Sequence, residues 1–188
     1  MRSSQRNWIP MVLGIAVLGA VSAVILVPRG AATTPGAAIV SAVSDTVPTD
    51  ADALFTYLQE GGYKEFAHEA EKHTSTGPHP DPNSRESHQV IAFFNSGLDA
   101  SLKAGNEAHP DGSAAVKEFY GADGELDGWA VSVKTQAESA TGQGWYWYEV
   151  TSVTDGSSPV AAGNGVALCW GCHASGNDFV LSRYPAGD

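Results

Sequence analysis

The feature that most constrains this chain is the run Cys169-Trp170-Gly171-Cys172-His173, close to its C-terminus. Two cysteines three positions apart, followed at once by a histidine, can bond both thiols to a haem and offer the imidazole as an iron ligand. Cys169 and Cys172 are the only cysteines in the sequence, so no further thiol is present to complete a zinc site. The run therefore predicts one covalent c-type haem with His173 on the iron. A haem-free redox pair or a small disulfide is the alternative that the spacing leaves open.

The N-terminus has the layout of an export signal. Arg2 and Arg6 precede an uncharged apolar stretch at residues 8–27, and small residues follow at 30–32. We interpret residues 1–32 as a cleaved export signal or a retained membrane anchor, because the apolar stretch approaches the roughly 20 residues that a bilayer requires. Export predicts a location in the periplasm or on the outer face of the bacterial cytoplasmic membrane, which is where c-type haem is attached.

The charge balance narrows the choice of partner. The chain has 10 Lys and Arg against 21 Asp and Glu, a formal net charge of −11. A negative surface repels phosphate backbones and anionic lipid headgroups, so nucleic acid is excluded as a partner. A basic redox partner or a small neutral molecule fits this charge. The alternative is that the acidity only keeps an exported protein soluble.

The middle of the chain divides into a linker and one domain. Residues 33–49 lack helical or strand periodicity and predict a flexible linker, which leaves residues 50–188 as the haem domain. Within the domain, the proline-rich stretch at residues 74–87 predicts a loop, because proline removes the backbone donors that helices and strands need.

The hydrophobic pattern of the domain places helices before strands. Helices are predicted at residues 50–61, 63–73 and 98–104, and strands at 90–94, 114–120, 129–134 and 145–153. Consecutive strands joined by short turns form an antiparallel meander. The order predicts an α+β fold, with an antiparallel sheet of about four to five strands, N-terminal helices, and the haem packed on the sheet.

An aromatic run marks one of these strands. Side chains alternate across a strand, so Trp145 and Trp147 are expected on one face and Tyr146 and Tyr148 on the other. Both faces must therefore be covered. A haem would cover the tryptophan pair and a helix or second subunit the other; an ordinary aromatic core is the alternative.

The distal side of the iron is constrained by the methionine inventory. Met1 and Met11 are the only methionines, and both lie in the leader, so a His/Met cytochrome is excluded. The remaining choices are an open iron, which binds small molecules, or a second histidine, which would make a bis-histidine electron-transfer cytochrome. The candidate second ligands are His68, His73, His79, His88 and His109.

Several segments then match a known pattern. They are residues 111–118, containing Val116-Lys117-Glu118; residues 128–134; residues 145–148; and the haem motif followed by Asp178-Phe179-Val180. This combination covers most of residues 90–184 and resembles the cytochrome P-460 and cytochrome c′-beta family. The resemblance implies an antiparallel sheet with packed helices, a homodimer, and one covalent haem that is five-coordinate through His173. Family members oxidise hydroxylamine and nitric oxide, or bind nitric oxide and carbon monoxide.

The resemblance also assigns a role to Lys117. In the hydroxylamine-oxidising members the matching lysine is bonded to the haem macrocycle. On the predicted strand Lys117 shares a face with Ala115 and Phe119, as a haem-facing side chain would. The alternative is a lysine at an exposed strand edge.

The distal pocket departs from the oxidising members. Their proton-accepting carboxylate matches Ala130, and alanine cannot take a proton, so Glu125, Asp127 or Glu138 from the flanking turns would have to substitute. An apolar pocket lined by Phe93 or Phe94, Trp129 and Ala130 resembles the gas-binding branch instead. This departure favours the binding of a small molecule such as nitric oxide over the oxidation of hydroxylamine.

Overall fold

The computed structural model describes residues 45–75, 89–137, 141–182 and 184. The described chain forms three α-helices and seven strands, which are α1 (Ala51–Gln59), β1 (Ala67–His68), β2 (His73–Thr74), β3 (Gln89–Phe94), α2 (Ser96–Lys103), β4 (Ala114–Tyr120), β5 (Leu126–Lys134), β6 (Trp145–Val150), β7 (Ala161–Asn164) and α3 (Ala167–His173). No helix in this part of the chain is long and apolar enough to cross a membrane. The predicted leader, residues 1–32, and residues 33–44 of the predicted linker lie outside the described residues.

All strands belong to one sheet in which every pairing is antiparallel. The order is β1, β3, β4, β5, β6, β7, and β2 also pairs with β3. The predicted α+β fold with an antiparallel sheet is therefore confirmed. The prediction of four to five strands was too low, because it missed β7 and the two-residue strands β1 and β2.

The predicted start of α1 is confirmed by its cap, whereas α2 starts two residues before the predicted residue 98. The side chain of Asp50 accepts a hydrogen bond from the backbone N–H of Ala53 at 3.0 Å, which satisfies one of the free donors at the start of α1. Gly61 then takes a positive φ of 72° shortly after the helix ends. Asn95 caps α2 in the same way, through the backbone N–H of Leu98.

The predicted helix at residues 63–73 is wrong. Tyr63 and Phe66 are buried in the core, and the chain then runs antiparallel to β3 as the short strands β1 and β2. Between β1 and β2, Glu69 is also tied to β3: its backbone N–H donates to the carbonyl of Ala92 at 3.0 Å, and its carboxylate accepts from the N–H of Ala92 at 2.9 Å. These contacts with β3 replace the local hydrogen bonds that a helix would form.

The domain begins earlier than the predicted boundary at residue 50. Val47, within the predicted linker, is only 4% exposed and belongs to the hydrophobic core. The backbone carbonyl of Asp45 accepts a hydrogen bond from the side-chain amide of Asn95 at 3.1 Å. Residues 45–49 are thus part of the packed domain.

The sheet has a different core on each face. Helix α1 packs on one face, where Leu54 and Leu58 belong to the same hydrophobic cluster as Tyr146 and Tyr148 of β6. The other face holds a smaller cluster that includes Trp145 and Trp147. The predicted alternation of tryptophan and tyrosine along β6 is therefore confirmed.

Candidate functional site

A cavity of about 670 Å³ lies on the tryptophan face of the sheet. Its floor comes from β3, β4, β5 and β6, and three of the floor residues are alanines on neighbouring strands: Ala92, Ala115 and Ala130. Side chains this short leave open space above the sheet. The volume falls within the range of cofactor and small-molecule sites.

Helix α3 places the cysteine and histidine motif on one wall of this cavity. Cys169, Cys172 and His173 all line it, because positions three and four residues apart share a face of a helix. Both cysteines are free thiols. Burial, together with the negative charge of Glu149, raises the pKa of the Cys169 thiol to about 11.

The imidazole of His173 is oriented by a hydrogen bond to the backbone. Its Nδ1 lies 2.9 Å from the backbone carbonyl of Phe179, and a carbonyl only accepts, so Nδ1 carries the proton. The other nitrogen, Nε2, therefore keeps its lone pair for a metal. Trp147 packs edge-on against the ring with centroids 4.9 Å apart. Burial lowers the pKa of His173 and favours this neutral form.

Lys117 lies on the cavity floor, in line with three other residues. Ala92, Lys117, Ala130 and Glu149 are paired in register across β3, β4, β5 and β6. Desolvation lowers the pKa of the Lys117 amine, against the opposing attraction of Glu149 and Glu69. The amine is therefore easier to deprotonate than an ordinary lysine, which increases its nucleophilic character.

Glu149 is a cavity residue that the sequence reasoning missed. It is 7% exposed, lines the cavity, and pairs in register with Ala130 on the adjacent strand. In the family that the chain resembles, the position matching Ala130 is a carboxylate. Here that position is alanine, and the adjacent strand β6 brings the carboxylate of Glu149 next to it. Glu69 also lines the cavity, where it accepts hydrogen bonds from Ala92 and His73.

The predicted aromatic pocket residues divide between the two faces. Phe94 and Trp147 line the cavity together with Ala130. Phe93 and Trp129 lie on the opposite face, in the core beneath α1, because each neighbours a cavity-facing residue and side chains alternate along a strand. Trp145 lies behind Trp147, with ring centroids 6.2 Å apart.

The candidate distal histidines are also separated. His73 lines the cavity, but Nε2 lies 3.1 Å from Glu69 and Nδ1 lies 3.1 Å from the carbonyl of Thr74. His68 packs against Phe93 on the other face. His109 is buried away from the cavity with Nδ1 2.9 Å from the Ser101 hydroxyl. The remaining two, His79 and His88, lie outside the described residues.

The carboxylates suggested from the flanking turns are not at the cavity. Glu125 is exposed and Asp127 is half-buried, and neither lines the cavity. Glu138 lies outside the described residues. Glu149 and Glu69 are thus the carboxylates that the described chain brings to this site.

The motif helix is seated closely on the loop before β6. A Cβ added at Gly142 would lie 2.2 Å from Cβ of Trp170, so only glycine lets these two backbones approach. The carbonyl of Gly142 also accepts a hydrogen bond from the indole of Trp147 at 3.0 Å. Gly142 therefore contacts both Trp170 of the motif helix and Trp147 of the cavity floor.

Among the described residues, no three His, Cys, Asp or Glu side chains converge as a metal-binding group. Comparison with protein-family models, with curated proteins and with solved structures found no match to this chain. The assignment of function therefore rests on the residues and the geometry of the cavity.

Proposed function

We propose that this chain is an exported c-type haem protein of the cytochrome P-460 and cytochrome c′-beta type, whose five-coordinate iron binds small nitrogen compounds such as nitric oxide. One observation carries the proposal: the two thiols and the imidazole of the motif line the same cavity as Lys117. A haem bound there would supply an iron that binds diatomic ligands.

The residues of the cavity suit a covalent haem. Cys169 and Cys172 would hold the macrocycle, and His173 would present Nε2 to the iron while its Nδ1–H donates a hydrogen bond to the carbonyl of Phe179. Ala92, Ala115 and Ala130 leave room above the sheet for a flat group, and Trp147 and Phe94 supply apolar contact. These apolar side chains would favour neutral diatomic ligands next to them.

The thiol chemistry speaks against a haem-free redox motif. Catalytic cysteines of C-x-x-C proteins have lowered pKa values, because the thiolate is the reactive form. Burial raises the pKa of Cys169 to about 11, which suppresses the thiolate at neutral pH. Cys169 therefore lacks the lowered pKa that a catalytic C-x-x-C thiol requires.

The environment of His73 favours an open distal site over a bis-histidine cytochrome. His73 is the described histidine, other than His173, that lines the cavity, and both of its ring nitrogens face oxygen acceptors. Binding iron would require it to release Glu69. We therefore propose that the sixth position is left to an exogenous ligand.

Gas binding gives the direct test of this function. We expect the ferrous protein to bind carbon monoxide or nitric oxide saturably, one molecule per haem, with a change in its absorption spectrum. A haem-loaded protein whose ferrous spectrum is unaffected by either gas would contradict the proposal.

A second function, oxidation of hydroxylamine, is favoured by Glu149. The carboxylate lies on the cavity row that also holds Lys117, so it is placed to accept a proton from a bound substrate. The electrons would pass to an external acceptor, and the acidic chain suits a basic one. A broad, strongly red-shifted Soret band would indicate that Lys117 is bonded to the macrocycle, as in the oxidising members.

Replacing Glu149 tests this second function. The variant Glu149→Gln keeps the size of the side chain but removes its basic carboxylate. We expect the rate of hydroxylamine oxidation to fall by about 10²- to 10⁴-fold, the usual contribution of a positioned base. The matched control is Glu125→Gln, an exposed position away from the cavity. Equal rates in the two variants would rule out Glu149 as the base.

We also propose a cellular location and an oligomeric state for the protein. Residues 1–32 would direct the chain to the periplasm or hold it at the outer face of the cytoplasmic membrane. A homodimer is proposed from the family resemblance. Trp170, on the motif helix, is 37% exposed and would be suited to a subunit contact.

A further inference from the structure

The segment that follows the motif helix is fixed by a buried ion pair. The Lys134 side chain is 0% exposed and that of Asp178 is 6% exposed, and the lysine Nζ lies 2.7 and 2.6 Å from the two carboxylate oxygens. The same carboxylate accepts the backbone N–H of His109 at 2.8 Å. Asp178 is thus held both by the end of β5 and by the loop before β4.

Asp178 begins a short stretch of rare backbone conformation. Asp178 and Phe179 have φ values of 45° and 66°, and they are the non-glycine residues of the described chain with positive φ. L-residues adopt this conformation seldom, and it persists where surrounding contacts over-determine it. The ion pair supplies such contacts, and the N–H of Val180 closes the turn on the carbonyl of Asn177 at 2.9 Å.

The turn has a direct consequence for His173. By reversing the chain, it brings the carbonyl of Phe179 to 2.9 Å from Nδ1 of His173. A carbonyl in this position fixes the ring orientation and the tautomer, and it increases the basicity of the other nitrogen. The strength of this hydrogen bond therefore depends on how firmly the turn is held.

We propose that Lys134 and Asp178 are positioning residues for the proximal histidine, acting through the Phe179 carbonyl to set the strength of the His173 hydrogen bond. Neither residue lines the cavity, so each acts through the turn and not on a ligand. The inference rests on the proposed function, because it takes His173 to be the iron ligand. It adds that the properties of the iron are controlled from a buried ion pair at the end of β5.

The test is the iron–histidine stretching frequency of the ferrous protein, measured by resonance Raman spectroscopy. A weaker hydrogen bond to Nδ1 makes the imidazole less basic and lowers this frequency. We expect Asp178→Asn to shift the band down and to change carbon monoxide affinity about 10- to 100-fold, the range by which losing a supporting contact of a metal ligand alters metal affinity or activity.

A second variant is needed because Asp178→Asn leaves the Lys134 charge buried without its partner, which can prevent folding. The double variant Lys134→Met with Asp178→Asn removes both charges, which is far better tolerated than removing one. We expect the same downward shift in the double variant. An unmoved band in a folded variant of either kind would overturn the proposal.

The matched control is Glu118→Gln. Glu118 is a fully buried carboxylate on the opposite face, where it accepts hydrogen bonds from the hydroxyl groups of Tyr63 and Tyr120. We expect its loss to lower stability without moving the band, whereas an equal shift would show that any buried charge has this effect. A wild-type protein without an iron–histidine band would instead contradict the proposed function itself, which separates the two failures.

Discussion

A chain carrying Cys169→Ser and Cys172→Ser is expected to contain no covalently bound haem. Serine cannot form the thioether bonds, and these two residues are the only cysteines of the sequence. The substitution is nearly isosteric, and Cys169 is half-buried while Cys172 is exposed, so the fold should be retained. The measurement is haem staining of the denatured protein on a gel, with circular dichroism to confirm folding.

The matched comparison is His173→Ala. This variant keeps both cysteines, so we expect covalent haem on the denatured protein but an altered ferrous spectrum, because the proximal ligand is lost. Covalent haem in the double serine variant would contradict the attachment site. An unaltered spectrum in His173→Ala would contradict the ligand assignment.

A large loss of stability is expected from Gly128→Ala. A Cβ at this position of β5 would lie 2.1 Å from the carbonyl oxygen of Val150 and 2.9 Å from Cα of Thr151. Both are backbone atoms, so the clash can be relieved only by separating β5 from β6, which together form half of the cavity floor. We expect the free energy of unfolding to fall by about 3 kcal/mol, at the upper end of overpacking effects.

The control for this substitution is Gly97→Ala in α2. The nearest atoms to a Cβ at Gly97 are 3.9 Å away, so the alanine fits. Alanine also favours the helix by up to about 1 kcal/mol relative to glycine. In urea unfolding, the free energy of unfolding should therefore fall in Gly128→Ala and rise in Gly97→Ala. Equal values for the two variants would contradict the close approach of Gly128 to Val150.

The parts of the fold that follow from local patterns were predictable. Asp50 and Gly61 delimit α1 because a side-chain cap and a positive φ act within a few residues. The alternation of Trp145, Tyr146 and Trp147 gave the two faces of β6, since it depends only on strand geometry. The predicted helix at residues 63–73 was wrong because pairing with β3, a non-local interaction, replaced local helix propensity.

The cavity was less predictable because its residues meet through strand pairing. The apolar run that contains Phe93 and Phe94 does not alternate, so the sequence could not indicate which ring faces the site. The prediction that Trp129 and Ala130 line the same pocket was wrong, because adjacent residues of a strand point to opposite faces of the sheet. Glu149 was missed, although it lies two positions after Trp147 and so shares its face; that spacing was the signal available.

The Cys169 to His173 motif is expected to carry one haem with an open iron. The most direct test is the intact mass and ferrous absorption spectrum of the protein, produced with c-type haem maturation machinery. We expect the mass of the chain plus one haem, and a high-spin spectrum typical of five-coordinate iron. A mass without haem, or a low-spin spectrum typical of six-coordinate iron with two protein ligands, would contradict it.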